Sequence, residues 1–471
     1  MATTPTDSVH SRPVHQATNR EIYAWSTVAV PTSFFNSLNA NLTPFFNTAL
    51  GMNAGLIGVA MIIPRIIDAV IDPFLGNLSD NTSTRWGRRR PYIFIGAILT
   101  ALCVALIWWA QPGWSQAALF IWLVVVLSLF GIASSVYAVP TEALGFELTD
   151  DYNQRTKIQT VKFFFASAIG LAVPWIYWLT LRPVWGGEIA GFRWVYFFVA
   201  LLIIAFGIVP AVFCRERFKR QAIGEQPRIR ESLREALNNP YFRQIIYIRI
   251  ANACGMTVFG GMNFYINYYY ICQGDKDLAT KIGGIGGTLY STLSFGFLLI
   301  IPWLGRTLGK RTALITGLAL QLLGALLNPF IQTPAMPYLQ MIGVVLAVPA
   351  GLMANVFISS FMPDVCDLGE RQSGRRMEGT YSAVMGFLTK VEATLLGVVV
   401  GLLITFTGLV SGATSQSIEV QNNIRWMAYI PYIAFATLTL WLGFRFKVDA
   451  KLMQETRAIL DARRAADGKI V

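Results

Sequence analysis

The chain has 471 residues, of which 54% are hydrophobic, 13% aromatic and only 14% charged. This composition argues against a soluble enzyme, whose surface would need more charge, and against a disordered or fibrous chain. The five scattered cysteines argue against a disulfide-stapled secreted protein. Because a spanning helix needs about 20 apolar residues, the apolar content predicts about a dozen membrane spans.

The net charge of +12 comes from 38 Lys and Arg residues against 26 Asp and Glu residues. These charges fall in short clusters between apolar runs, so they favour cytoplasmic loops over a nucleic-acid surface. Residues 1–20 are polar and lack an apolar signal core, which predicts a disordered cytoplasmic tail.

Twelve apolar runs follow the tail and predict an all-α protein with twelve transmembrane helices. With the N-terminus inside, the inner connections hold 28 Lys and Arg residues and the outer ones hold 5. This asymmetry predicts that both termini are cytoplasmic. The predicted spans are residues 23–48, 55–80, 91–110, 116–146, 159–180, 194–213, 243–272, 280–303, 311–330, 336–362, 379–408 and 424–447.

The basic connection 214–240 divides the chain into two predicted six-helix bundles, 21–213 and 241–447. The loops at 77–91 and 306–311 share a Gly followed by basic residues at corresponding places, which indicates a duplicated half. The alternative is that the shared pattern does not reflect a duplication, because any inner loop acquires such charges. Internal repeats with a site between them are a recurring transporter plan.

The last segment, 448–471, is predicted to be a cytoplasmic tail containing a short helix at 449–464. Leu452, Ile459 and Leu460 lie near one face of that helix, with charges on the other. Such a helix is expected to lie along the inner leaflet or to be solvated.

Three charged residues interrupt the second apolar run, in the sequence IIPRIIDAVIDPFLG. At about 100° per residue, Asp72 lies about 20° and Asp68 about 60° from Arg65 around the helix axis. Each charge costs at least about 2.5 kcal/mol at the bilayer centre, so the stripe is expected to face protein or a water-filled cavity.

Asp68 and Asp72 are separated by about 6 Å of helix rise, close enough to share one cation or one proton. Neutralisation of such a pair by Na⁺ or H⁺ changes the preferred conformation, which is what ion coupling requires. The alternative is that Arg65 neutralises one carboxylate in a fixed buried salt bridge.

The eleventh run carries Lys390 near its middle, too deep to reach either interface easily. We expect it to approach the acidic stripe between the two halves. Glu392 faces about 200° away around the helix and is predicted to make an interhelical hydrogen bond. Glu142, Lys162 and Arg249 lie closer to helix ends, where interfacial or gate roles are expected.

Other patterns favour structural roles. The aromatic runs at 265–270 and 108–109 are typical of a headgroup belt, although such rings also stack on sugars. The glycines of 283–287 lack a phosphate-loop Lys and favour close helix packing. The two histidines, His10 and His15, lie in the predicted tail. Enzymatic activity and ATP-driven pumping are therefore not expected.

Three segments in order carry a resemblance that runs through nearly all of the chain: RIIDAVIDPFLGNLSD…RWGRRRP at 65–91, VPTEALGFELTDDYNQRT at 139–156, and MPDVCDLGERQSGRRMEGTYSAVMGFLTK at 362–390. They resemble the glycoside-pentoside-hexuronide:cation symporters of the major facilitator superfamily, which include the melibiose permease. The resemblance implies the major facilitator fold. It also implies that Asp68 and Asp72 bind the cation, with Arg65 and Lys390 in the cavity. By the same resemblance, a cytoplasmic gate is formed by Arg155, Asp364, Asp367, Arg376 and Glu378.

The chain departs from the melibiose permease at positions that determine its substrate and ion. Ala138 replaces a fourth-helix aspartate, so a third carboxylate is missing, which favours H⁺ over Na⁺. Thr32 aligns with the permease's first-helix sugar-binding aspartate. Phe163, which has Lys162 beside it in this chain, aligns with the permease's fifth-helix arginine. Glu142 aligns with a sugar-stacking tryptophan, so Glu142 and Lys162 are candidate substrate contacts.

The sequence therefore predicts a monomeric, multi-pass symporter of the cell membrane. It would move a sugar, glycoside or uronide together with H⁺ or Na⁺ by alternating access. No other cofactor, no metal beyond Na⁺ at the acidic pair and no nucleic-acid partner are expected. The alternatives are a lipid or lysolipid carrier of the same superfamily and a transport-inactive membrane sensor or scaffold.

Overall fold

The computed structural model describes residues 16–149, 152–216, 236–374 and 378–466, and helices dominate these ranges. The first half of the chain contains α1 (Asn19–Ser26), α2 (Ala29–Pro44), α3 (Ala54–Ala60), α4 (Ile62–Asn81), α5 (Arg90–Leu106), α6 (Gln116–Glu147), α7 (Tyr152–Ala172), α8 (Ile176–Thr180), α9 (Glu188–Gly207) and α10 (Val209–Phe213). The second half contains α11 (Pro240–Tyr265), α12 (Lys276–Thr307), α13 (Lys310–Ile331), α14 (Met341–Ser373), α15 (Glu378–Phe406), α16 (Ile418–Arg445) and α17 (Ala450–Ala466).

Eleven helical segments in the described ranges are long and apolar enough to cross a membrane, one fewer than the twelve expected. The difference lies in the first predicted span, which is divided between α1 and α2. Pro31 has no N–H to donate to the carbonyl of Thr27, which instead accepts from the N–H of Val30 at 3.0 Å. The resulting α2 has only 16 residues and carries several Ser, Thr and Asn side chains.

The helices pack into two groups that follow the two halves of the chain. In the first half, α6 packs against α4 and α5, and α9 also contacts α5. In the second half, α13 packs against α14 and α16, and α11 also contacts α16. Each half has its own buried apolar clusters, such as the stacked Trp108 and Tyr196 rings, 4.2 Å between centroids, in the first.

The two ends of the bundle differ in their contacts. We call the end that contains Ala17, Glu147, Glu216 and α17 the terminal end, and the opposite end the far end. At the far end the halves touch, because α3 packs against α15 and α12 packs against α7. A Cβ added to Gly401 of α15 would lie 2.6 Å from the carbonyl oxygen of Ala54, so this contact requires glycine.

The glycine-rich segment 283–287 packs closely against another helix, as predicted. A Cβ added to Gly284 would lie 2.8 Å from the Trp175 ring, and one added to Gly287 would collide with Pro174. Both contacts join α12 to the far end of the first half. These glycines therefore permit close approach between the halves.

Most of the aromatic residues expected in a headgroup belt are buried instead. Tyr265, Tyr268, Tyr269 and Trp108 are all buried, whereas Trp109 is exposed. Tyr268 and Tyr269 lie in a π-helical turn at Ile266–Ile271, which holds about one more residue per turn than an α-helix. The same kind of turn follows α2, at Phe45–Ala49.

A carboxylate holds the start of α5 at the terminal end. Glu216 accepts hydrogen bonds from the backbone N–H groups of Arg88, Arg89 and Arg90 at 2.7, 2.8 and 3.0 Å. These groups have no partner within their own helix, and the positive end of the helix dipole favours an anion there. Glu147 of α6 also contacts the guanidinium groups of Arg88 and Arg89.

The C-terminal helix α17 packs against the terminal end of α14. Its residues Met453, Thr456 and Leu460 are buried, and Arg371 donates a hydrogen bond to Thr456 at 3.1 Å. One face of the helix is thus covered by α14, while residues such as Gln454 and Arg457 on its other side are exposed; its position along the inner leaflet stays a prediction. Leu460 lies on the predicted apolar face, but the surface of α14 that covers it is not predictable from the pattern of the helix itself.

Candidate functional site

Arg65, Asp68 and Asp72 lie on one face of α4 and line the same cavity, of about 770 Å³, between α4 and α15. The spacing of three and four residues brings them together, as a helical repeat requires. The opposite wall is formed by α15, including Phe387, Thr389 and Thr394. The structure therefore assembles the acidic stripe beside a cavity, as the cost of burying charge in a membrane predicts.

Asp68 is not enclosed by a tight ion pair with Arg65. The distance from Arg65 Nη1 to Asp68 Oδ2 is 3.8 Å, and the Arg65 side chain is 46% exposed. A long and partly exposed pair contributes little to stability. Asp68 also packs on Gly131 of α6, where an added Cβ would collide with the carboxylate. Its position thus depends on a glycine in another helix.

A second cavity, of about 250 Å³, lies among α2, α4 and α6 and reaches the same two charges. Thr32, Asn39 and Ser134 contribute polar groups to it, while Phe35 and Phe130 meet edge to face with centroids 5.5 Å apart. Because Arg65 and Asp68 line both cavities, this small polar cavity adjoins the acidic stripe. Hydroxyl and amide groups beside aromatic rings can bind a hydroxylated molecule.

Glu142 and Lys162 form an ion pair with each other, with Lys162 Nζ 2.6 Å from Glu142 Oε1. The same ammonium lies 4.9 Å from the centroid of the Trp25 ring. The residues that line the two cavities described above do not include either member of the pair. The structure therefore brings these two predicted substrate contacts together, but away from the acidic stripe.

On the opposite side of the larger cavity, Glu392 of α15 contacts Arg249 of α11, with 3.9 Å between the carboxylate and Nε. Arg249 also donates a hydrogen bond to Thr389 at 2.8 Å. Glu392 thus has an interhelical partner at ion-pair distance, but 3.9 Å is too long for the hydrogen bond that was predicted. Lys390 lies between these residues on α15, and its side chain lies outside the described residues.

The predicted gate is described only in part. Asp364, whose side chain is 5% exposed, contacts Lys310 at 2.7 Å and Arg457 of α17 at 3.5 Å. Asp367 lies 3.9 Å from the same Arg457. These described pairs join elements of the second half to one another rather than one half to the other. The side chains of Arg155 and Glu378, and the whole of Arg376, lie outside the described residues.

A cluster at the far end joins the two halves, and sequence reasoning missed it. Lys276 at the start of α12 contacts both carboxylate oxygens of Glu188 at the start of α9, at 2.8 and 3.0 Å. It also donates to Thr48, and Tyr177 donates to Glu188 at 2.9 Å. The pattern of charges predicts that Lys276 lies in an outer connection. Its pairing with Glu188 has no local signal in the sequence, because the two residues are 88 positions apart.

Known transport proteins are similar to this chain over most of its length. A family model described as MFS/sugar transport protein matches residues 26–450. The isoprimeverose transporter of Lactiplantibacillus pentosus is 26% identical, and the match covers 100% of this chain and 96% of that protein. A putative glycoside/cation symporter of Escherichia coli is 28% identical, covering 91% of this chain and 92% of that protein.

Solved structures share the fold. The nucleoside transporter NupG superposes with a TM-score of 0.61 at 13% identity, covering 91% of this chain and 98% of that one. A D-xylose-proton symporter gives a TM-score of 0.56 at 14% identity, covering 91% of this chain and 96% of that one. The protein is thus a multi-pass membrane protein with the major facilitator fold, and it belongs to the MFS/sugar transport protein family.

Proposed function

We propose that this protein is a secondary transporter that couples the movement of a cation to the transport of a sugar or glycoside. The observation that carries the proposal is the position of Asp68 and Asp72 beside the two cavities. Two carboxylates at membrane depth change their charge when a cation binds, and that change alters which conformation is favoured. The relatives named as isoprimeverose and glycoside/cation transporters support a sugar substrate.

The proposed coupling ion is H⁺, and the alternative is Na⁺. Asp68 and Asp72 supply two carboxylates, and Ala138 stands where the melibiose permease has a third. A proton needs one carboxylate, whereas Na⁺ prefers several oxygen ligands. Arg65 would bind the carboxylate in the unprotonated state and be released from it by protonation.

The proposed sugar site is the 250 Å³ cavity next to Asp68. Asn39, Ser134 and Thr32 can hydrogen-bond hydroxyl groups, and Phe35 offers a ring face for an apolar sugar surface. Lys390 is proposed to couple or position the substrate from α15. The Glu142 and Lys162 pair is proposed to contact substrate on its passage between the terminal end and this cavity.

The proposed mechanism is alternating access by two halves, 21–213 and 241–447, within one monomer. The charge asymmetry predicts that the terminal end is cytoplasmic and that the protein lies in the plasma or inner membrane. The contacts of α3 with α15 and of α12 with α7 support closure of the far end in this conformation. In this proposal the far end opens when gate charges at the terminal end, among them Arg155, Arg376 and Glu378, come together.

The test uses the purified full-length protein in liposomes, with uptake of radiolabelled isoprimeverose, xylose and lactose measured under a pH or Na⁺ gradient. Wild-type protein should accumulate at least one sugar against its gradient. Asp72→Asn should abolish accumulation but retain exchange. Glu419→Gln, a change at an exposed carboxylate of α16, is the matched control and should transport normally. Full gradient-driven accumulation by Asp72→Asn would remove Asp72 from the coupling site.

One observation favours a second candidate, the transport of an amphipathic lipid. The larger cavity is also lined by Ile66, Val70 and Leu395, whose side chains are more than half exposed. An exposed apolar lining of this kind, between α4 and α15, can contact an acyl chain. Uptake of a fluorescent lysophospholipid into the same liposomes, with no uptake of the sugars under either gradient, would favour the lipid carrier.

A further inference from the structure

A polar stripe runs along α13 inside the second half. Gln321, Asn328 and Gln332 are separated by seven and four residues, which places them within about 40° on one face of the helix. All three are buried, at 3%, 7% and 4% exposure. They line a cavity of about 180 Å³, and Gln340, also buried, lines it too.

The cavity is separate from those beside Asp68, because it lies within the second half. Its lining residues come from α11, α13, α14 and α16, and from the connection between α13 and α14. Gln332 and Gln340 lie at that connection, which is at the far end. The cavity thus extends inward from the far end, with Gln321 as its deepest amide.

Gln321 is the residue that needs a ligand. Neither its Nε2 nor its Oε1 has a hydrogen-bond partner among the described residues, and both atoms are buried. An unpaired amide is costly in a protein interior, and more so at membrane depth, where water does not replace the missing partner. An amide kept there beside a cavity indicates a molecule that both donates and accepts hydrogen bonds.

The rest of the lining defines the chemistry of that molecule. Gln332 is held in place, because it donates to Asn263 at 3.1 Å and accepts from Tyr429 at 2.6 Å. Phe259 and Tyr432 form a stacked pair of rings at the wall, 4.7 Å apart. The described lining residues are uncharged. Amides beside aromatic faces suit a neutral, hydroxyl-rich ligand rather than an ion.

We propose that this cavity is a second binding site, for a small neutral polyol or a single pentose, entered from the far end and distinct from the transport site. At about 180 Å³ the cavity is smaller than the roughly 300–1,000 Å³ of pockets for drug-sized ligands, so it suits a compact compound with about five carbons. Gln321 and Asn328 bind its hydroxyl groups, and Phe259 contacts its carbon skeleton.

The experiment measures thermal unfolding of the purified full-length protein in detergent while xylitol is titrated. Wild-type protein should show a saturable rise of several degrees in unfolding temperature, because a ligand that binds the folded state stabilises it. In Gln321→Leu the rise should disappear, while the ligand-free variant should unfold at a higher temperature than the wild type. We expect the higher unfolding temperature of the ligand-free variant because leucine replaces an unpaired buried amide with an apolar group of similar size.

A cavity-filling variant provides an independent test. A Cβ added at Gly260, which lines the cavity, meets no atom within 4 Å, so the side chain of Gly260→Leu can begin without a clash and should occupy cavity volume and abolish the xylitol effect. Gly283→Leu on α12, where an added Cβ also meets no atom within 4 Å, is the matched control and should retain it. Asp72→Asn should also retain it, which separates this site from the proposed ion site.

Two results would overturn the proposal. The first is a linear, unsaturable rise, equal in wild type, Gln321→Leu and Gly260→Leu, because excluded polyols stabilise any protein in that way. The second is the absence of any saturable rise in the wild type, which would mean that the cavity holds water alone. Loss of the effect in Asp72→Asn would place xylitol at the ion site and would also contradict the proposal.

Discussion

Breaking the partly buried Lys276–Glu188 ion pair at the far end should shift the protein toward a state in which that end is open. Lys276 contacts both oxygens of Glu188 as well as Thr48, and the paired side chains are only 15% and 21% exposed. A charge-assisted hydrogen bond at such a site contributes about 2 kcal/mol. Since 1.4 kcal/mol corresponds to a factor of ten, Glu188→Gln should raise the ratio of open to closed molecules about 30-fold.

A second ion pair across the same boundary supplies the comparison. Arg182 in the first half contacts Asp277 in the second, but their side chains are 27% and 55% exposed. An exposed pair contributes less than about 1 kcal/mol, so Asp277→Asn should change the ratio by less than about fivefold. The two variants remove the same type of charge at the same end and differ mainly in burial.

Pulsed electron resonance distances provide the assay. Spin labels at Val184→Cys and Ile418→Cys would report the separation of the halves, because both positions are highly exposed and lie on opposite halves. The native cysteines would first be replaced by serine. Glu188→Gln should increase the long-distance population. An unchanged distribution in Glu188→Gln, or an equal shift in Asp277→Asn, would refute the reasoning.

Three further changes have defined outcomes. Gly131→Ala should displace Asp68 and lower gradient-driven uptake about tenfold, equivalent to about 1.4 kcal/mol, whereas Gly283→Ala should transport normally. Equal uptake by both variants would contradict the importance of the contact between Gly131 and the Asp68 carboxylate. Glu216→Gln should lower the free energy of unfolding by about 1–2 kcal/mol in thermal melts, because it weakens the cap on α5, and Glu419→Gln should not. Lys310→Met should lower the free energy of unfolding by about 2 kcal/mol, because it removes the nearer of the two described cationic partners of buried Asp364. Arg457→Ala should lower it by less than about 1 kcal/mol, because the Arg457 side chain is 62% exposed. The reverse order in thermal melts would be inconsistent with the structure.

The sequence was most informative where the relevant relationship is local. The spacing of Arg65, Asp68 and Asp72 placed them on one face of α4, because helical geometry alone determines that relation. The family resemblance then predicted the fold, which the family match and the solved structures confirm. The roles of these residues in cation binding stay predictions.

Longer-range features could not be predicted in the same way. The pairing of Lys276 with Glu188 depends on how two halves meet, and neither residue stands in a distinctive local pattern. The site that receives α17 depends on the surface of α14. The split of the first span was more accessible, because Pro31 and the polar residues of α2 were visible in the sequence. The stripe of Gln321, Asn328 and Gln332 was also visible as a helical repeat, but only the cavity gives it significance.

The aromatic residues at the far end have a consequence for the resting carrier. The rings of Tyr177 and Phe264 stack across the two halves with their centroids 5.3 Å apart, and Tyr268 lies under the ammonium of Lys276. Separating the halves at this end would wet these faces, and wetting apolar surface is unfavourable. The empty carrier should therefore populate mainly the conformation in which the far end is closed. A solute arriving from that side can bind only to the minor open population, which its binding then stabilises.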